Sequence, residues 1–133
     1  MTYSERLAGL DAELRQRFGA LRPADRRIVS FHDAFPYFAR AYGLEIVGVV
    51  VDAPGQDPSA SQVARLIDAI RTSGAQAILA EVQFNDRLAR QIAAETGATV
   101  ISGLYTDSLG DPPLDTYEAI IRHDADLILD ALG

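Results

Sequence analysis

Three side chains that could bind a metal ion each follow a predicted strand: His32, Glu81 and Asp107. An imidazole and two carboxylates are nitrogen and oxygen ligands of the kind that Zn²⁺ or Mn²⁺ accepts. If the strands are parallel, their carboxyl ends lie at one edge of the sheet, which is where ligands bind in such folds. The pattern therefore predicts a metal site formed by the loops at this edge.

Each of these residues also has a purely structural interpretation. A histidine after a strand commonly caps a helix or lies at the edge of a core, and a carboxylate such as Glu81 commonly accepts hydrogen bonds from the next turn. Asp107 is followed by Ser108 and Gly110 and fits an ordinary turn residue. Their common placement at one sheet edge favours the metal hypothesis over three separate structural roles.

Neighbouring polar and aromatic residues are expected to have structural roles. Asp33 is expected to cap the helix that follows it, and His123, among charged neighbours in the last helix, is expected to be solvated. Tyr37, Phe38 and Tyr42 recur at helical spacing, which favours packing in the core over a stacking platform.

Alternating strand and helix patterns provide the scaffold for these residues. Short apolar or β-branched runs predict strands over 27–31, 45–51, 77–80 and 99–102. Amphipathic segments predict helices over about 4–18, 35–42, 60–73, 86–96 and 115–132, the last capped by Asp115 and Glu118. Because a helix joins each pair of strands, we predict an α/β fold: a single three-layer lobe with a four-stranded parallel sheet flanked by helices.

The composition excludes several classes of function. Among the 133 residues there is no cysteine and all 12 basic residues are arginine, which excludes disulfides, thiolate chemistry, Schiff-base lysines and phosphate-loop lysines. A formal net charge of −7 argues against nucleic acid as a partner. Neither a Gly-x-Ser-x-Gly elbow nor a Gly-x-Gly-x-x-Gly loop is present, so the chain is not expected to be an enzyme.

No run approaches the roughly 20 apolar residues that span a bilayer, and the amino terminus does not resemble a signal peptide.

Several motifs, in a fixed order, carry a resemblance to a known family. They are Phe31-His32-Asp33-Ala34-Phe35-Pro36-Tyr37-Phe38 with Tyr42-Gly43-Leu44, then Pro58-Ser59-Ala60-Ser61, Ala80-Glu81-Val82-Gln83-Phe84 and Tyr105-Thr106-Asp107-Ser108-Leu109-Gly110. Together they resemble the carboxy-terminal lobe of the zinc and manganese substrate-binding proteins of bacterial ABC importers, the metal-binding cluster A-I solute-binding proteins. The resemblance covers nearly the whole chain.

This resemblance implies a protein of two lobes that capture a metal ion between them. Residues 1–24 would be the end of the long helix that links the lobes, with its connector, and residues 25–133 the carboxy-terminal metal-binding lobe. His32 and Asp107 are then the expected metal ligands, and Glu81 is expected to orient His32 or to act as an alternative ligand. The ion would be Zn²⁺, or alternatively Mn²⁺, and this chain would hold only part of its site.

The resemblance also implies partners and a location. The missing amino-terminal lobe would supply the remaining ligands, and the membrane permease of an ABC transporter would receive the ion. The full-length protein would be periplasmic or a lipoprotein at the cell surface. Without the other lobe, the apolar stripe of the predicted helix 4–18 would be partly uncovered, so self-association through it is expected. The alternative hypothesis is a small flavodoxin-like cofactor-binding or enzymatic domain that uses the same crevice.

Overall fold

The computed structural model describes residues 2–51, 57–81, 86–106 and 108–133, and along them strands and helices alternate as predicted. The elements are α1 (Tyr3–Gly19), a 3₁₀ turn (Pro23–Arg26), β1 (Arg27–Ser30), α2 (Pro36–Tyr42), β2 (Glu45–Val49), α3 (Ala60–Ser73), β3 (Ala77–Glu81), α4 (Arg87–Thr96), β4 (Thr99–Leu104) and α5 (Tyr117–Leu132). The predicted α/β class is confirmed. The largest difference in the strands is that β2 ends two residues early and β4 two residues late.

The four strands form one parallel sheet in the order β2-β1-β3-β4. From β1 the chain passes through α2 to β2 on one side, and then returns through α3 across β1 to β3. The loops after β1 and β3 therefore leave the sheet in opposite directions, and a crevice opens between them at the carboxyl ends of the strands. Ligands of open α/β sheets bind at such a reversal point.

Helices cover both faces of this sheet, giving the three predicted layers. α1, α2 and α5 pack on one face with Ile28, Leu79 and Leu104. α3 and α4 pack on the other face with Val29 and Ile78, because successive strand residues point to opposite sides. All five residues of β3 are buried, so the strand that ends at Glu81 lies in the middle of the core.

The predicted helix ends are right where glycine or a capping box sets them. Ser59 and Gln62 form the expected capping box of α3, and α2 ends at Gly43 with φ of 73°, which suits a residue without a β-carbon. Two predicted caps are wrong. The N-cap position of α2 is Phe35 rather than Asp33, because the chain makes a further turn after His32 before the helix begins.

At α5 the N-cap residue is Thr116, whose Oγ1 accepts a hydrogen bond from the N–H of Ala119. Asp115 and Glu118 were predicted to cap this helix, and that prediction is wrong. The Glu118 carboxylate instead pairs with Arg6 of α1, 3.2 Å from its Nε. The helix begins at Tyr117, two residues after the start of the predicted range 115–132.

Helix α1 is packed within the chain along the apolar stripe that the sequence predicts. Leu10, Leu14 and Phe18 are buried, and the Phe18 ring stacks on Tyr42 of α2 with centroids 5.3 Å apart. The Tyr42 hydroxyl also donates to Asp11 of α1 at 3.0 Å. Because most of the stripe is covered by α2 and α5, the reason for expecting self-association is weakened, although the association itself remains a prediction.

The aromatic residues of α2 divide between the core and the surface. Phe38 and Tyr42 pack against the core as predicted, but Tyr37 is 80% exposed and its ring lies beneath the guanidinium of Arg40, 5.9 Å from the centroid. The prediction that Tyr37 packs in the core is therefore wrong. Among the described residues, no helix combines the length and the hydropathy that crossing a bilayer requires.

Candidate metal centre

His32 lies on the turn that leaves β1, and its backbone is fixed there by two hydrogen bonds. The buried hydroxyl of Ser30 and the N–H of Ala34, at 2.8 Å, both donate to the carbonyl oxygen of His32. The neighbouring Phe31 N–H donates to the Leu79 carbonyl at 2.8 Å, which extends the β1–β3 ladder to the start of the turn. The position of the imidazole is thus set by β1 and β3 together.

Glu81 orients the His32 ring through a short hydrogen bond. Nδ1 of His32 is 2.7 Å from Oε1 of Glu81, whose side chain is fully buried, while the His32 side chain is 15% exposed. A carboxylate only accepts hydrogen bonds, so Nδ1 is the donor in this contact, and the neutral tautomer that fits it has its lone pair on Nε2. This is the arrangement in which a carboxylate prepares an imidazole to bind a metal ion.

The second oxygen of Glu81 reaches the loop after β4. Oε2 accepts a hydrogen bond of 2.8 Å from the hydroxyl of Thr106. One buried carboxylate therefore connects the loops that follow β1 and β4 at the crevice. The sequence places His32 and Glu81 at this edge, but it does not single out Thr106, because a threonine beside a turn is common and its partner lies 25 residues earlier.

Asp107, the other expected ligand, lies outside the described residues. The segment that leads to it is held by two consecutive residues of α5. Nε2 of His123 donates to the Gly103 carbonyl at 3.0 Å, and the Asp124 carboxylate accepts from the Tyr105 N–H at 3.0 Å. The prediction that His123 is solvated is wrong, since its ring is half-buried and lies 5.7 Å edge-on from Tyr105.

Asp124 is a buried carboxylate that the sequence could have revealed. It lies four residues from Ile120 and from Ile128, so it occupies the apolar face of α5, where a charged residue needs a specific partner. Burial, more than any other cause, raises the pKa of Asp124 to about 6. The nearby Glu81 charge acts in the same direction, whereas the Tyr105 N–H and His123 act against it.

We expect Asp124→Asn to change how stability depends on pH. Because the pKa of Asp124 is higher in the folded chain than its ordinary value of 3.8, its favourable contribution is complete below about pH 4 and is lost as the pH rises through about 6. Asparagine stays neutral and keeps an oxygen for Tyr105. The free energy of unfolding of the variant should match wild type at pH 4 and exceed it by up to about 3 kcal/mol at pH 7.

Urea denaturation of both proteins at several pH values measures this difference in the free energy of unfolding. The other titrating groups are common to both proteins, so their contributions largely cancel. Asp130→Asn on the exposed side of the same helix is the matched control and should give a difference near zero at every pH. A difference for Asp124→Asn that does not grow between pH 4 and pH 7 would contradict the prediction.

The described part of the chain does not contain a complete metal site by itself. No group of three histidine, aspartate or glutamate side chains converges within it in a way that could hold an ion. A separate cleft of about 320 Å³ lies between β2 and α3, lined by residues such as Gly48, Gln62 and Arg65, and it includes neither His32 nor Glu81. The chemistry of the crevice at β1 and β3 makes it the better candidate site.

Residues 1–131 match the family model described as "Zinc-uptake complex component A periplasmic", ZnuA. The chain belongs to the ZnuA family. The family consists of solute-binding proteins rather than enzymes, which agrees with the absence of a catalytic motif and disfavours the flavodoxin-like alternative. The predicted membership in the zinc and manganese solute-binding proteins is thereby confirmed.

Relatives in the ZnuA family carry names that refer to different metals. The chain is 33% identical to the "Iron-binding protein YfeA" of Yersinia pestis over 133 residues, covering 98% of this chain and 43% of that protein. It is 34% identical to the "Zinc-binding protein TroA" of Treponema pallidum over 139 residues, covering 98% and 45%. The Mn-bound periplasmic metal binding protein of Candidatus Liberibacter asiaticus superimposes with a TM-score of 0.87 at 28% identity, covering 98% of this chain and 49% of that one.

The chain thus spans less than half the length of these two curated relatives and about half of the solved structure. The superposition runs over nearly all of this chain, so the whole α/β unit has its counterpart within a longer metal-binding protein. The match includes residues of α1 as well as those of the sheet and its helices.

Proposed function

We propose that this chain is the carboxy-terminal lobe of a zinc or manganese substrate-binding protein that captures the ion and delivers it to an ABC importer. The observation that carries the proposal is the bond between buried Glu81 and His32 at the point where the strand order reverses. In this proposal residues 1–24 are the end of the helix and connector between two lobes, and residues 25–133 form the metal-binding lobe.

Two residues of this chain would bind the ion directly. His32 offers Nε2, the ring nitrogen with the lone pair, and Asp107 offers a carboxylate oxygen. Glu81 accepts a hydrogen bond from Nδ1 and so favours the neutral tautomer that has its lone pair on Nε2. The formal net charge of −7 adds a general attraction for cations. The family match and the metals named for its relatives support this role.

The remaining coordination positions would be filled by the amino-terminal lobe of the full-length protein. Zn²⁺ prefers four ligands in a tetrahedron, so two from this lobe leave two for its partner. Closure of the lobes would then expel the water that occupies those positions in this lobe alone. An imidazole ligand favours Zn²⁺ over Mn²⁺, which prefers oxygen, and we therefore propose zinc as the principal ion.

We expect this chain alone to bind Zn²⁺ weakly. A complete protein site for structural zinc is worth about 10–16 kcal/mol, so half the ligands, at about 5–8 kcal/mol, should give a dissociation constant of roughly 1–200 μM. Calorimetric titration with ZnCl₂ measures it, with Mn²⁺ titrated in parallel to establish the preference and Mg²⁺ as a cation that avoids imidazole. Saturable binding below about 10 nM, or no binding at 1 mM Zn²⁺, would contradict a site with two ligands from this lobe.

A further inference from the structure

The pairing of β4 with β3 is irregular just before the chain leaves the sheet. Leu79 of β3 lies opposite Ile101, but Glu81 lies opposite Leu104, so β4 contains one extra residue across this interval. Within the interval, Gly103 has a φ of 85°, in the left-handed region that favours glycine. An extra residue of this kind bends a strand and redirects the residues that follow it. The ladder of the sheet therefore does not by itself fix the path of the chain beyond β4.

Helix α5 provides two hydrogen bonds at this irregular point. Nε2 of His123 donates to the Gly103 carbonyl at 3.0 Å. Oδ1 of Asp124 accepts from the Tyr105 N–H, also at 3.0 Å. Asp124 is only 3% exposed, and a buried carboxylate needs a hydrogen-bond donor to offset its lost hydration. Within the described part of the chain that donor is this backbone N–H and not an arginine, so burial of the carboxylate holds the Tyr105 peptide against α5.

We propose that Asp124 is a positioning residue, which fixes the direction in which the chain leaves β4 and thereby places Asp107 for the metal ion. Tyr105, whose N–H it holds, is two residues before Asp107 in the sequence. A ligand on a backbone that is already fixed loses less conformational entropy when it binds. The consequence for metal affinity rests on the proposed function, whereas the anchoring of Tyr105 does not.

Two neutral substitutions separate the hydrogen bond from the charge of Asp124. Asp124→Asn keeps an oxygen that can accept from Tyr105, whereas Asp124→Ala has no acceptor. Both remove the negative charge, so a difference between them reports the hydrogen bond. Asp124→Leu is a second variant without an acceptor, and it fills the buried space if the alanine variant does not fold. Asp130→Asn and Asp130→Ala, at an exposed position of the same helix, are the matched controls.

Amide hydrogen exchange in the metal-free chain measures the anchoring of Tyr105. Its protection is divided by that of the Thr99 N–H, which donates to the Gln76 carbonyl at 2.8 Å, so that changes in overall stability largely cancel. We expect the ratio to be about tenfold lower in Asp124→Ala and Asp124→Leu than in wild type and Asp124→Asn, because the buried N–H loses its acceptor. The two Asp130 variants should keep the wild-type ratio.

Titration with ZnCl₂, followed by ¹⁵N NMR of the His32 ring, measures the consequence for the metal. Asp124→Ala should bind Zn²⁺ about tenfold more weakly than Asp124→Asn, the lower end of the loss seen when a group that supports a metal ligand is removed. Because Asp124 acts through Asp107, this loss should not exceed that caused by Asp107→Ala. Both Asp130 variants should bind Zn²⁺ like wild type.

The anchoring is refuted if the exchange ratio is unchanged in the variants without an acceptor, or if Asp124→Asn exchanges as they do. The placement of Asp107 is refuted if Asp124→Ala and Asp124→Asn bind Zn²⁺ equally, or if Asp107→Ala binds it like wild type. Failure of the wild-type chain to bind Zn²⁺ would instead refute the proposed function, and with it the effect on metal affinity. The exchange ratios of the metal-free proteins still decide the anchoring in that case.

Discussion

Replacing His32 with alanine is expected to remove measurable zinc binding by this chain. Of the two ligands proposed from this chain, His32 is the one that provides a nitrogen atom, and loss of a group that merely supports such a ligand already costs about 10–100-fold in metal affinity. Because the wild-type chain is already expected to bind Zn²⁺ weakly, a larger loss of affinity should take the calorimetric signal below detection. The heat released on titration with ZnCl₂ under the conditions used for wild type measures the change.

Two further variants separate ligand loss from damage to the fold. His32→Gln keeps an amide N–H that can donate to Glu81, so it should unfold at nearly the wild-type temperature and still lose zinc binding. His123→Gln removes the other of the two histidines while keeping a donor for Gly103, and it should bind Zn²⁺ like wild type. Unchanged binding by His32→Ala would refute the ligand assignment, and equal losses in the His32 and His123 variants would point to nonspecific binding.

Phe18→Ala should produce the largest loss of stability. Its ring is fully buried between α1 and α2, stacked on Tyr42 and edge-on to Phe38 at 5.7 Å. Truncating a buried phenylalanine costs about 3–5 kcal/mol through lost burial and the cavity left behind. A domain of this size is stable by only about 5–15 kcal/mol, so the variant should be near the limit of folding at 37 °C. Urea denaturation measures the free energy of unfolding.

Tyr37→Ala is the matched aromatic control on the neighbouring helix. Its ring is 80% exposed, so its removal should change the free energy of unfolding by no more than about 0.5 kcal/mol. Phe18→Leu, which retains much of the volume, should fall between the two and gives a measurable value if Phe18→Ala does not fold. A loss below about 1 kcal/mol in Phe18→Ala would mean that α1 does not dock on α2 as described.

Much of the fold follows from local sequence, because the signals involved act over a few residues. Capping residues and terminal glycines fix α3 and the end of α2, and the apolar runs locate all four strands. The errors occur at the first turns of two helices. Asp33 and Asp115 are both good capping residues, yet the helices begin later, at Pro36 and Tyr117, because the preceding turns are set by contacts elsewhere.

The candidate site could be predicted only in outline. Parallel strands place their carboxyl ends together whatever the side chains do, so the sequence brings His32 and Glu81 to one edge. It does not indicate which groups bond there, since rotamers and loop paths decide that. Thr106, His123 and Asp124 were missed as parts of the site because their partners lie 25, 20 and 19 residues away.

By itself, the sequence determined the α/β architecture, the family and the edge of the sheet at which an imidazole and a carboxylate meet. Periodicity and capping residues can be read from short stretches of sequence. Because the strands are parallel, these stretches also indicate which residues lie at the carboxyl edge of the sheet. The tertiary structure alone decided that Glu81 is fully buried, that it engages His32 with one oxygen and Thr106 with the other, and that α5 supports the segment before Asp107. These contacts depend on the relative placement of β1, β3, β4 and α5. Packing of the core sets that placement, and a hydrogen bond forms only if it brings donor and acceptor to about 3 Å.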